Sequence, residues 1–249
     1  VFRAEVEEAE ALRKLIKAVS EITEEAPLIL TPEKLELKAL DYTKSAMIKF
    51  SLPSVYFSTF DCDKEITVGL NFKDINKAFR ALRSGDRLEI QIPEDTSSIT
   101  LILKGVTTRT MTFSTMEPPP IPQEPKEVFT ADAKLISSEF EHAIKFLSSV
   151  SSEARFIAEE DKLSIAAKTE TGSYTNTFSR GDPVLLELNV ETRTESIYSL
   201  PLLGKMMVGC KISDIAGLKF AADKPLILDY PMIEGATLTY YLAPIVEKR

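Results

Sequence analysis

Lys73, Lys77 and Arg80 follow one another at steps of four and three residues, interleaved with Ile75, Phe79 and Leu82. On a helix turning about 100° per residue the three cations share an arc of ~60°, and the apolar residues take the other side. Such a face could hold the phosphates of a polyanion, because clustered Lys and Arg displace counterions from a nucleic-acid backbone without reading its bases. Arg13, Lys14 and Lys17 gather in the same way over Leu12, Leu15, Ile16, Val19 and Ile22, although Glu10 and Glu21 fall near their arc. His142 and Lys145 form a third set beside Ser138 and Ser149, and Lys205, next to Gly204, forms a sparse fourth. A basic helix face is more often a solvated surface than a binding site. What favours binding here is recurrence against the composition, since 30 Lys and Arg face 38 Asp and Glu and leave a net charge of −8.

Residues for covalent or metal chemistry do not assemble. With one histidine, His142, there is no Ser-His-Asp arrangement or histidine-based metal cluster, and Cys62 and Cys210 lie outside any zinc or redox spacing. The nine glycines form no phosphate-cradling loop. Asp61, Asp63 and Glu65, and the run Glu159-Glu160-Asp161, suit turns and solvated edges better than a magnesium site. No cofactor, metal or catalytic residue is therefore expected. The competing readings are a non-ring α+β binding scaffold and a carboxylate-dependent enzyme whose residues nothing nominates. Two separated cysteines, and Glu5, Glu7, Glu8 and Glu10 where a signal peptide would be basic and then apolar, predict a reducing, intracellular setting. The chain lacks an apolar run of the ~18 residues a membrane span needs.

The elements that must position the cations occur twice. Phe2-Arg3-Ala4-Glu5 returns near Phe129-Thr130-Ala131-Asp132, Leu12, Ile16 and Lys17 return at Phe140, Ile144 and Lys145, and Ile75 and Lys77 return at Leu203 and Lys205, a period of 128 residues. A period of that length in 249 residues means two domains of shared topology. Helical spacing predicts helices over 9–22, 72–84, 138–150 and 202–208. Alternation predicts strands over 35–39, 46–52, 66–70, 88–92, 99–103 and 108–114. Strands with one polar face imply antiparallel sheets, hence α+β. Between the copies, Met116 to Pro125 holds five prolines in ten residues and reads as an extended connector. The predicted division is 1–117, connector 118–127 and 128–249. Ile121, the apolar residue among the prolines, reads either as part of a spacer or as one wall of a peptide groove.

Three segments together resemble the DNA polymerase sliding clamp of the proliferating cell nuclear antigen family. They are Val68-Gly69-Leu70-Asn71-Phe72-Lys73-Asp74-Ile75-Asn76-Lys77, the Leu40-Asp41 step after a strand, and the terminal Leu238-Thr239-Tyr240-Tyr241-Leu242-Ala243-Pro244. The resemblance covers essentially the whole chain, and the composition is that of an archaeal member. It implies three two-domain subunits in a ring, homotrimeric or built with paralogues, with helices inside and sheets outside. Cytoplasmic, nucleoid-associated residence follows for an archaeal member and nuclear residence for a eukaryotic one. Duplex DNA is encircled without sequence preference. Arg13, Lys14, Lys17, Lys73, Lys77, Arg80, His142, Lys145 and Lys205 would face it. Replication and repair clients, among them DNA polymerase, clamp loader, flap endonuclease and DNA ligase, would dock short peptides. Their groove would comprise Leu40, Lys44, Ser45, Met47, Ile121, Pro225, Tyr241, Ala243, Pro244 and Ile245, with Lys44 where eukaryotic members commonly have histidine. Subunits would join edge to edge through Arg109, Met111 and Phe113 on one side and Tyr174 and Phe178 on the other.

Overall fold

The structure is a computed structural model and describes residues 1–247. Contacts divide it into two units. One comprises residues 1–42, 48–122 and 232–238, and the other residues 43–47, 123–231 and 239 onward.

In the first unit the chain runs β1 (Phe2–Val6), α1 (Glu10–Ile22), β2 (Glu25–Leu30), β3 (Lys34–Leu40), β4 (Ala46–Pro53), β5 (Thr59–Cys62), β6 (Ile66–Asn71), α2 (Phe72–Ala78), β7 (Arg87–Ile92), β8 (Ser98–Lys104) and β9 (Thr108–Ser114). Strands lie in the orders β5-β1-β7-β8-β9 and β4-β3-β2-β6. Alternation is the cause: Leu88, Ile90 and Ile92 of β7 and Ile99, Leu101 and Leu103 of β8 are buried, and the registers Leu88↔Leu103 and Ile90↔Leu101 bring them together. Helix α1 sinks Leu12, Leu15, Ile16, Val19 and Ile22, and packs against α2, which sinks Phe72 and Ile75.

The second unit repeats the plan with β10 (Ala131–Ile136), α3 (Ser137–Ser148), β11 (Glu153–Glu159), β12 (Lys162–Lys168), β13 (Ser173–Ser179), β14 (Leu185–Val190), β15 (Thr194–Ser199), α4 (Leu200–Met206), β16 (Ile215–Phe220), β17 (Leu226–Pro231) and β18 (Thr237–Leu242). Its orders are β14-β10-β16-β17-β18 and β13-β12-β11-β15, the same pattern shifted along the chain. Phe156, Tyr198 and Phe220 meet edge to face at centroid distances of 5.3 to 6.5 Å and anchor this core. Every register determined within a unit is antiparallel, as the α+β reading requires.

Both short helices stop sooner than their sequence period predicts. After Ala78 the α2 region tightens to a 3-10 turn at Phe79–Ala81. The Asp86 carboxylate then accepts the Arg83 N–H at 2.9 Å, and Gly85 at φ +83° completes a turn that draws the chain out of the helix. In α4 the helix gives way to a 3-10 segment, Met207–Lys211. There Gly209 lies so near the Tyr230 ring that a Cβ would sit 2.3 Å from it. Strands β2 and β5 had no counterpart in the alternation pattern: β2 is apolar on nearly every position, and β5 is only four residues long.

Candidate functional site

On the helices of the first unit, Arg13, Lys17, Lys73, Lys77 and Arg80 are exposed and Lys14 is half-buried. They reach solvent because the apolar stripe of each helix is turned inward. Asn71 starts α2 by accepting the Asp74 N–H at 3.0 Å, which fixes where Lys73 and Lys77 emerge. Lys77 Nζ lies 3.2 Å from Asp74, Lys73 Nζ lies 3.8 Å from Glu24, and Arg13 is hydrogen-bonded to Glu10. The Arg13 hydrogen bond holds the Glu10 carboxyl below its ordinary value.

In the second unit, His142, Lys145 and Lys205 are exposed on α3 and α4. Ser199 caps α4 by accepting the Leu202 N–H at 3.3 Å. Beneath the cations lies buried Glu141, which receives Lys145 at 2.8 Å and Lys211 at 2.9 Å. Burial pushes the Glu141 carboxyl up, the two lysines pull it down, and the pull prevails.

The residues expected to form a peptide groove are distributed as follows. Leu40 and Ile121 are exposed apolar side chains of the first unit, at 37% and 46%. Lys44, Ser45, Met47, Pro225, Tyr241, Ala243, Pro244 and Ile245 belong to the second. Two backbone bonds order the segment after β18: Ala243 N–H donates to Ser45 O and Ile245 N–H to Ile197 O, both at 2.8 Å. Tyr241 donates its hydroxyl to Glu124 at 3.1 Å, and burial raises its phenol well above the usual range. Met47 and Tyr241 are themselves buried, while Lys44 is exposed with φ +59°.

Strand β9 stands last in its sheet order and β13 last in its own. Arg109, Met111 and Phe113 are half-buried on one face of β9, with Arg109 held by Asp86 at 3.2 Å. On β13, Phe178 is buried, and half-buried Tyr174 meets exposed Phe146 of α3 edge to face at 6.2 Å. Neither strand carries a carboxylate, and the one charge on them, Arg109, is paired with Asp86.

Comparison with known proteins decides the family. The model of the proliferating cell nuclear antigen N-terminal domain matches residues 1–117. The DNA polymerase sliding clamp of Thermofilum pendens is 31% identical over 243 residues, covering 96% of this chain and 97% of the relative. The chain belongs to the sliding clamp family. Among solved structures, PCNA from Thermococcus kodakaraensis superposes with a TM-score of 0.93 at 21% identity, over 98% of this chain and all of that one. The PCNA2-PCNA3 complex from Sulfolobus tokodaii gives a TM-score of 0.92 at 27% identity with the same coverage. Two further exposed cations, Arg83 and Lys211, lie just past α2 and α4, after or within the 3-10 segments that follow those helices. Sequence spacing passed over them because they follow the α-helical period, although the 128-residue repeat pairs one with the other.

Proposed function

We propose that this chain is a subunit of a ring that encircles duplex DNA and tethers a replicative polymerase. The observation that carries the reading is the cationic surface over α1 and α2 in one unit and over α3 and α4 in the other, at repeat-related positions of a chain with net charge −8. Cations on inward helices attract phosphates without reading bases, and an acidic exterior discourages binding on the wrong side. Closure rather than affinity does the holding, so binding is weak and salt-sensitive while the tethered enzyme stays at high local concentration. Arg13, Lys14, Lys17, Lys73, Lys77, Arg80, His142, Lys145 and Lys205 are the proposed DNA-facing set, and no residue is assigned catalysis.

Client peptides with aliphatic and aromatic anchors are proposed to be received by Leu40 and Ile121, which expose apolar surface, and by Lys44, Ser45, Met47, Pro225, Tyr241, Ala243, Pro244 and Ile245. Residues 1–117 and 128–249 would be the two domains and 118–127 the connector. Edges β9 and β13 would join subunits. Replacing Lys73, Lys77 and Arg80 together by Ala tests the core of the reading. Clamp-dependent processivity is expected to fall at moderate salt while the circular dichroism spectrum stays that of the parent. Unchanged processivity would remove the DNA-facing assignment.

A further inference from the structure

Several cations of the helix faces are leashed. Arg13 is held by Glu10 and Lys77 by Asp74, each one helical turn earlier, and Lys145 is held by Glu141 one turn earlier, with Lys211 on the same carboxylate. This pattern is not a by-product of the repeat. A shift of 128 residues carries Glu10 onto Ser138, Asp74 onto Leu202 and Arg13 onto Glu141. The two units reach a similar arrangement with different residues, and the solvent-facing Glu10–Arg13 and Asp74–Lys77 pairs add little to helix stability. Both facts point away from a merely structural role.

We propose that Glu10, Asp74 and Glu141 are positioning residues that temper the grip of the helix faces on DNA, an inference that rests on the ring reading above. An unpaired ammonium that meets a phosphate gains a new partner and keeps it. A paired ammonium only exchanges a carboxylate for a phosphate, so each contact is worth less and is surrendered more readily as the ring moves. Glu141 does this for two lysines at once, 2.8 and 2.9 Å away, so the trio presents one net positive charge where two cations stand. The Arg13 hydrogen bond lowers the Glu10 carboxyl, and at Glu141 burial pushes the carboxyl up while Lys145 and Lys211 pull it down and prevail.

The test combines Glu10→Gln, Asp74→Asn and Glu141→Gln in the assembled ring, with Glu10→Gln alone as a second variant at an exposed position. Binding to a linear duplex is followed by anisotropy across a salt series, and diffusion is followed on a duplex with blocked ends. The triple variant is expected to bind several-fold more tightly at low salt, with a log–log salt slope steeper by ~1 or more, and to diffuse more slowly. The single variant should shift in the same direction by less. Wild-type slope and diffusion in both folded variants would overturn the inference. Failure of the parent ring itself to be retained on end-blocked DNA would instead sink the ring reading.

Discussion

Glu89 shows how much a single side chain can depend on neighbours far away in sequence. In the alternating run Leu88-Glu89-Ile90-Gln91-Ile92 it takes the polar face, yet it is buried, because Arg3 from β1 and Lys104 from β8 lie over it at 2.6 and 2.5 Å and Gln91 donates at 2.6 Å. The Arg3 hydrogen bond, then those of Lys104 and Gln91, hold its carboxyl down at about 2. A carboxyl depressed in the folded state stabilises above its unfolded pKa, and that stability is lost as pH falls from about 4.5 toward 2. Glu89→Gln leaves two cations facing a neutral amide, so it should destabilise by about 2 kcal/mol near neutrality, lowering Tm by roughly 4–8 °C. Thermal melts from pH 7 to pH 2 check this: the difference between parent and variant must shrink as the medium is acidified. A constant gap would mean that the carboxylate charge is not what stabilises the site.

At the level of elements, much was legible and what escaped has identifiable causes. The helices α1 and α3 and the strands β3, β7, β8 and β9 announce themselves because a period of 3.6 or 2 runs through residues such as Leu12, Leu15 and Val19, or Leu88, Ile90 and Ile92. The cation faces followed from the same arithmetic. What periodicity does not carry is tertiary pairing. Gly69 exchanges backbone bonds with Met116 at 2.9 and 3.0 Å, and a Cβ there would lie 2.7 Å from Glu117 O, so only glycine admits the start of the connector beside β6. Its repeat partner, Ile197, receives the segment after β18 in the same manner through Ile245 N–H at 2.8 Å. Gly69→Ala should therefore cost about 1–3 kcal/mol and raise hydrogen exchange at Met116. Helix starts offer a matched comparison. Asn71→Ala should destabilise by about 1 kcal/mol, and Ser199→Ala by less because its cap bond is 3.3 Å rather than 3.0 Å. Urea titration of both variants checks the order; equal losses would mean that neighbouring packing, not the cap, sets those helix starts.

At the scale of the whole molecule, β9 and β13 stand at the ends of their strand orders. By the repeat, β4 corresponds to β13 and β18 to β9. A junction of β9 with β13 from another copy is the proposed joint between chains. It is head-to-tail, since the two surfaces differ, and such junctions close into rings when the rotation allows. The edges suit each other: both are Thr- and Ser-rich, neither has a carboxylate to repel the other, and half-buried Met111, Phe113 and Tyr174 offer apolar surface. Head-to-tail joining has a consequence that two complementary variants expose. Phe113→Asp spoils one edge and leaves β13 sound, whereas Tyr174→Asp spoils the other and leaves β9 sound. By light scattering the parent should give a multiple of 27.7 kDa, and each variant alone should give a single chain. An equimolar mixture should give a pair, held by the one sound junction and unable to grow. A mixture that stays monomeric, or variants that keep the parent's mass, would show that these strands are not where the subunits meet. A parent that is monomeric until a related clamp chain is added would assign the neighbouring edge to that relative instead of to a second copy.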